Sequence, residues 1–144
     1  INVFCMLKIP NAEKKVINKQ CRTIDIFPTI LDLAKISKES IHELQGESLI
    51  PFLENANEEE RDIFVETGGL YGPWPSPDKH NVFCIKSNGK KLIYNETPKT
   101  WEFYDLKSDP EELNNIYDEN LEIIHLYKKK LFYYFKNNEI KLNF

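Results

Sequence analysis

Long apolar runs are missing from this chain: none approaches the ~20 residues that a membrane-spanning helix needs. Cysteine is scarce, with Cys5, Cys21 and Cys84 far apart and odd in number. That excludes a disulfide framework and predicts buried thiols for Cys5 and Cys84, which sit in apolar, strand-like runs. Unpaired thiols favour a cytoplasmic setting. His42, His80 and His125 are scattered, and no Cys or His pair has zinc-site spacing. A clustered basic face is missing too. Net charge is −4, so nucleic acid is not an expected partner. The Lys128-Lys129-Lys130 run lies in a helical pattern and predicts a solvated helix face. There are no internal repeats and no low-complexity segment.

What remains is ordinary globular material, 41% hydrophobic and 29% charged, in 144 residues, enough for a real core. The chain opens at Ile1, inside an apolar run, without an initiator Met or a signal-peptide pattern, and the expectation is a fragment. Ile1 to Leu7 is almost continuously apolar, which predicts a strand buried on both faces. Lys15 to Cys21 predicts a weaker extended piece. Asp25 to Ala34 predicts a helix capped by Asp25, with Pro28 in its first turn and an apolar stripe from Ile26, Phe27, Ile30, Leu31 and Leu33. Ser48 to Leu53 repeats that grammar after a turn at Gly46.

Asn55 to Asp62 is polar and acidic, and predicts a boundary between residues 1–54 and 55–144. Beyond it the pattern becomes β-prone. Ile63 to Glu66, Val82 to Ile85, Leu92 to Tyr94 and Thr100 to Leu106 predict strands. Asn88-Gly89 predicts a tight hairpin, because both positions accept positive φ. Asp109-Pro110-Glu111-Glu112 predicts a turn or helix start with Asp109 as cap. Asp118 to Phe135 predicts an amphipathic helix capped by Asp118, with Leu121, Ile124, Tyr127, Leu131 and Tyr134 on one face. Ile140 to Phe144 predicts a last edge strand. The second half is therefore expected to be a small antiparallel sheet with one long helix packed across it.

Three segments together resemble the C-terminal third of sulfatases, in the alkaline-phosphatase-like superfamily. Val3 to Pro10 is similar to the family's R-V-P-L-I-I-x-x-P strand, with Asn2-Val3-Phe4 where Arg-Val-Pro is usual. Arg22 to Ala34 and Gln45 to Leu53 are similar to D-I-x-P-T-I-L-D-L-A-G followed by x-G-x-S-L-x-P-L-L, with Lys35 where Gly is usual. Trp101 to Asn115 resembles the closing signature E-L-Y-D-L-x-x-D-P-x-E-x-x-N. The resemblance implies a mixed α/β (α+β) chain: the end of an alkaline-phosphatase-like α/β core, then the small sheet-and-helix subdomain.

Sulfatases cleave sulfate esters with a formylglycine hydrate made from the Cys or Ser of C/S-x-P-x-R. A calcium ion held by Asp and Asn polarises the sulfate, while Lys, His and Arg neutralise it. None of this apparatus is visible in the sequence. No Cys or Ser begins C/S-x-P-x-R, and there is no Asp-Asp pair and no G-D-H-G-like loop. No catalytic residue, metal ligand or cofactor is carried over, and the chain alone is expected to be inactive. Calcium and formylglycine are expected in the parent enzyme, and the missing N-terminal catalytic part is the expected partner.

The loop from Glu66 to His80 is long, aromatic and stiffened by three prolines, and such loops often carry function. Tyr71 and Trp74 could stack on the ring of a sulfated sugar or aryl sulfate, and Lys79 and His80 could meet an anion. The competing reading packs the aromatics under the loop and leaves Lys79 and His80 in solvent. Two alternatives stand beside the sulfatase tail. One is the tail of a related phosphodiesterase, phosphonate hydrolase or phosphoglycerol transferase. The other is a stand-alone, non-catalytic binding module. A lone fragment is expected to self-associate through its exposed apolar strand.

Overall fold

The computed structural model describes residues 4–10, 12–37, 41, 44–54, 60–67, 82–96, 98–119 and 121–140. The chain divides into two compact units, Ile1–Glu59 and Glu60–Phe144.

In the first unit a short 3-10 turn, Thr23–Asp25, leads into helix α1, Ile26–Leu33, and a second short helix, α2, spans Ile50–Glu54. Asp25 is wholly buried, but it does not cap α1 through its side chain as the sequence predicts. Its carboxylate turns back instead. It accepts from the Arg22 N–H at 2.9 Å, the Arg22 guanidinium at 2.9 Å and the Glu47 N–H at 3.0 Å. One buried carboxylate thus ties the start of α1 to the segment leading into α2. Burial alone would raise its pKa, but these hydrogen bonds outweigh burial and hold Asp25 below the usual carboxylate range. A second tie runs through Thr29, whose buried hydroxyl donates to the Asp25 carbonyl and accepts from the Leu49 N–H at 2.9 Å. Ser48 accepts from the Ile50 N–H at 3.3 Å, as its place before α2 predicts. Gly46 has φ +84°, and a Cβ there would lie 2.3 Å from the Ile24 carbonyl oxygen, so the turn requires glycine.

The helix end explains the departure at Lys35. The Ile36 N–H donates to Leu31 O at 2.9 Å and the Lys35 N–H to Asp32 O at 3.0 Å, a Schellman cap. Such a cap needs a left-handed residue after the helix, and Lys35 sits at φ +54°.

Two expectations for this unit fail. Of the predicted strand Ile1 to Leu7, residues 1–3 lie outside the described residues and 4–7 form no strand, with Phe4 and Met6 90% and 83% exposed; residues 15–21 join no sheet either. A strand needs a neighbour to accept its ladder hydrogen bonds, and no described segment of the unit supplies one. Cys5 is accordingly exposed rather than buried.

The second unit is a four-stranded antiparallel meander in the order β1-β2-β3-β4: β1 Ile63–Thr67, β2 Val82–Ser87, β3 Lys90–Asn95 and β4 Thr100–Asp105. The β2–β3 turn is Asn88-Gly89, at φ +46° and +72°, as the sequence predicts. The register aligns Phe64, Ile85, Leu92 and Phe103 across one face. Helix α3, Leu121–Asn137, covers that face with Ile124, Tyr127, Leu131 and Phe135, while Tyr134 stacks on Phe64 at 4.2 Å. Asp118 does not cap the helix, which starts at Leu121. Ile140 closes α3 instead of opening a strand: its N–H donates to Phe135 O at 2.9 Å, in a second Schellman cap around Glu139 at φ +55°. Residues 141–144, the rest of the predicted edge strand, lie outside the described residues, as do 55–59 of the predicted boundary.

The lysine run is only in part a solvated face. Lys129 is exposed, but Lys128 lies 4.3 Å from the centre of the Trp101 ring and 5.0 Å from that of Tyr117, and Lys130 pairs with Asp62 at 2.9 Å. The aromatic edge of β4 and the start of β1 supply partners that lie too far away in sequence to be read from the run itself.

Candidate functional site

The closing signature begins on β4 and runs back along its outer edge. Asp105, at the end of β4, accepts from the Lys107 N–H at 3.0 Å and pairs with Lys90. Those two bonds, Lys90 foremost, hold its pKa below the usual carboxylate range. Asp109 accepts from the Leu113 and Asn114 N–H groups at 3.0 and 2.9 Å, capping a turn and not a helix. Glu112, at φ +57°, pairs with Lys91 at 2.6 Å. Glu102 accepts from Asn95 at 2.7 Å and from the Tyr104 hydroxyl at 2.6 Å. Burial first, and then Glu102, pushes the Tyr104 phenol up to about 12.

Asn115 ends the signature and acts as a surrogate strand residue. Its Oδ1 accepts from the Phe103 and Tyr117 N–H groups at 3.0 and 3.1 Å, and its Nδ2 donates to Trp101 O at 3.5 Å. Beside it the Ile116 N–H donates to Phe103 O at 2.9 Å, so the outer edge of β4 is covered. The signature's polar residues are thus bound within their own fold. They hold no arrangement suited to acid–base work.

Nor do the thiols offer a nucleophile. Cys84 is buried at the centre of the sheet, on the face opposite α3, and burial pushes its pKa up to about 11, so it stays protonated near neutrality. Cys5 and Cys21 are exposed, and neither begins the sulfatase motif. Among the described residues no three His, Cys, Asp or Glu side chains converge as metal ligands. Calcium takes six to eight oxygens, so the described residues do not fit that ion. One hollow of about 150 Å3 lies in the first unit, lined by Cys5, Lys15, Cys21 and Phe52 among others. That is below the ~300 Å3 at which ligand pockets begin.

Tyr71, Trp74, Lys79 and His80 lie outside the described residues, so their mutual arrangement is not described. The roots of their loop are. Thr67 faces Val82 across the last pair of the β1–β2 ladder, so segment 68–81 leaves and returns at one end of the sheet. The β3–β4 connection, between Asn95 and Thr100, emerges at the same end. Glu66, beside the first root, accepts from the Tyr134 hydroxyl at 2.7 Å. Burial and this carboxylate raise the Tyr134 pKa well above the normal phenol range. The loop is therefore mounted on a framework pinned to α3. The Arg22–Asp25–Glu47 tie had a local signal in sequence, an Arg and an Asp three residues apart, but no signal for its third member.

The comparisons with known proteins agree with this picture. The family described as "N-sulphoglucosamine sulphohydrolase, C-terminal" matches residues 1–137. An N-acetylglucosamine-6-O-sulfatase of Bacteroides thetaiotaomicron is 37% identical over 99 residues, 65% of this chain and 17% of that protein. The solved structure of BT4656, in complex with its substrate D-glucosamine-2-N,6-O-disulfate, matches with 29% identity and a TM-score of 0.56, over 80% of this chain and 23% of that one. A phosphonate monoester hydrolase of Agrobacterium radiobacter matches with 26% identity and a TM-score of 0.55, over 75% of this chain and 23% of that one. The chain spans about a fifth of the length of the curated relatives it matches. The four-stranded antiparallel sheet under one helix, its edge closed by the signature asparagine, and the family match over nearly the whole chain place it together: the chain belongs to the N-sulphoglucosamine sulphohydrolase C-terminal family and is a C-terminal sulfatase domain.

Proposed function

We propose that this domain completes a sulfuric ester hydrolase acting on sulfated sugars, whose nucleophile and metal site reside in an N-terminal part of the same polypeptide. The observation that carries the proposal is the family match over residues 1–137, together with a fold in which the signature's polar residues are bound in structural roles. The substrate class rests on the relatives: one is an N-acetylglucosamine-6-O-sulfatase, and BT4656 takes a disulfated glucosamine as substrate. In this reading residues 1–54 end the α/β core and residues 55–144 form the C-terminal subdomain. Calcium and formylglycine would belong to the upstream part, because the described residues of this chain offer no ligand set for the ion. Formylglycine there would supply the hydrated oxygen nucleophile for sulfate transfer. This chain's contribution would be segment 68–81, whose roots sit at one end of the sheet, with Tyr71 and Trp74 to stack on a sugar ring and Lys79 and His80 to meet an anionic group.

The phosphonate monoester hydrolase likeness gives the competing reading, a phosphoryl- or phosphonyl-transfer enzyme on the same scaffold. The group released from substrate, sulfate or phosphonate, separates the two. A C/S-x-P-x-R motif is expected, and replacing its first residue by Ala should abolish sulfate release. A bare Thr at that position, with phosphonate hydrolysis and no sulfate release, would overturn the sulfatase reading.

A further inference from the structure

The hollow in the first unit falls below the size of a ligand pocket, yet its lining includes both Cys5 and Cys21. Both are exposed thiols. Neither is a candidate for ester hydrolysis, so the function proposed above leaves them without a role. Two stretches of chain line the hollow. Lys15, Ile17, Lys19 and Cys21 do so at every second position, and Cys5 and Leu7 with the same spacing. Between the stretches lies a turn, where the Ala12 N–H donates to Ile9 O at 3.3 Å. Each cysteine is the lining residue of its stretch farthest along the chain from that turn. The Lys15 ammonium donates to Leu53 O at 2.6 Å and ties the second stretch to α2.

We infer that Cys5 and Cys21 are a redox pair, which closes to an intramolecular disulfide by exchange with an anionic, low-molecular-weight disulfide such as oxidised glutathione. In the first step one cysteine thiolate attacks a sulfur of the reagent, forming a mixed disulfide and releasing one glutathione thiolate. In the second, the other cysteine attacks the protein sulfur of that mixed disulfide, joins to it and expels the second glutathione thiolate. The two cysteines are oxidised, the reagent's S–S bond is reduced, and the released thiolates take up the two protons. The two side chains share one small hollow, which leaves room for a pair of sulfur atoms rather than a ligand. Neither stretch is held in a sheet ladder, so no register opposes the Cα separation of about 4.4–6.8 Å that a disulfide spans. Lys15 and Lys19 bring two ammonium groups to the same lining, which attract an anionic reagent. Cys84 takes no part, being buried in the second unit. The inference is independent of the sulfatase reading.

The test is a disulfide map of the complete protein. The folded protein is incubated with oxidised glutathione, its remaining thiols are alkylated in denaturant, and a tryptic digest is read by mass spectrometry without reduction. Trypsin separates the two cysteines at Lys8 and Lys19. The expected product is a pair of peptides joined through Cys5 and Cys21, two hydrogen atoms lighter than the separate peptides and parted again by dithiothreitol. In Cys5→Ser, Cys21 should instead retain a whole glutathione, and in Cys21→Ser the adduct should remain on Cys5, because the resolving thiol is gone. Both substitutions fall at exposed positions, and the wild-type map needs neither. Persistent glutathione adducts on both cysteines of the wild type would overturn the inference, as would unreacted thiols at both. A cross-link from either cysteine to an upstream cysteine or to a second chain, in place of the pair, would overturn it too. Sulfate release by the same sample bears on the sulfatase reading alone, so the two fail separately.

Discussion

At the residue scale, the departures from the sulfatase pattern are as informative as the matches. Lys35 occupies a left-handed position that suits glycine, the residue usual there in the family. Lys35→Gly is expected to stabilise the chain by about 0.5–1 kcal/mol, read as a higher melting temperature, because glycine carries no Cβ penalty at positive φ. Asp25 makes the opposite point, since every replacement strips hydrogen bonds from a buried site. Asp25→Asn should cost about 2–4 kcal/mol at neutral pH, measured by urea unfolding. Its pH dependence has a definite sign. The folded pKa lies below the ordinary value of 3.8. The contribution is therefore complete above about pH 4 and is lost as pH falls through the lower folded value. Wild type should lose stability in that acid window, and Asp25→Asn should lose less. The sequence placed Asp25 at the start of a helix, but not its bond to Glu47, because a contact across that many residues leaves no periodic trace.

At the element scale, the local patterns were legible and the non-local ones were not. The Asn88-Gly89 turn dictates positive φ in both residues, so β2 and β3 were readable as a hairpin. Helix α3 was readable because its apolar spacing spans several turns, although its start lies at Leu121 and not beside Asp118. The described part of the apolar run, residues 4–7, forms no strand, because apolarity reports a need for burial, while a ladder depends on neighbours elsewhere in the chain. Asn115 is the element-scale device that a motif alone does not explain. It replaces a fifth strand with a single side chain along β4. Asn115→Ala should cost about 1–3 kcal/mol, since it leaves the Phe103 N–H without its acceptor. Asn115→Asp keeps the Oδ1 acceptor and should cost less. Equal losses in the two variants, by thermal melting, would show that the acceptor is not what matters.

At the scale of the whole molecule, the polar residues of the closing signature serve the architecture of their own unit. The loop 68–81 was singled out by its prolines and aromatics, and its roots sit on one end of a pinned sheet. On the proposed function, Trp74→Ala and Tyr71→Ala in the complete protein should each raise KM for a sulfated sugar about 2- to 10-fold, the range set by 0.5–1.5 kcal/mol per aromatic contact, with little change in melting temperature. An unchanged KM would return both residues to packing beneath the loop. No catalytic constellation was legible in the sequence, and the described residues hold none, with Cys84 buried and protonated and no convergent metal ligands among them. The most direct test of the central claim is inorganic sulfate release from N-acetylglucosamine 6-sulfate, measured side by side for the complete protein and for this chain alone. The account predicts release by the complete protein and none by the 144-residue chain. Turnover by the chain alone, or sulfate release that survives loss of the upstream nucleophile, would contradict it.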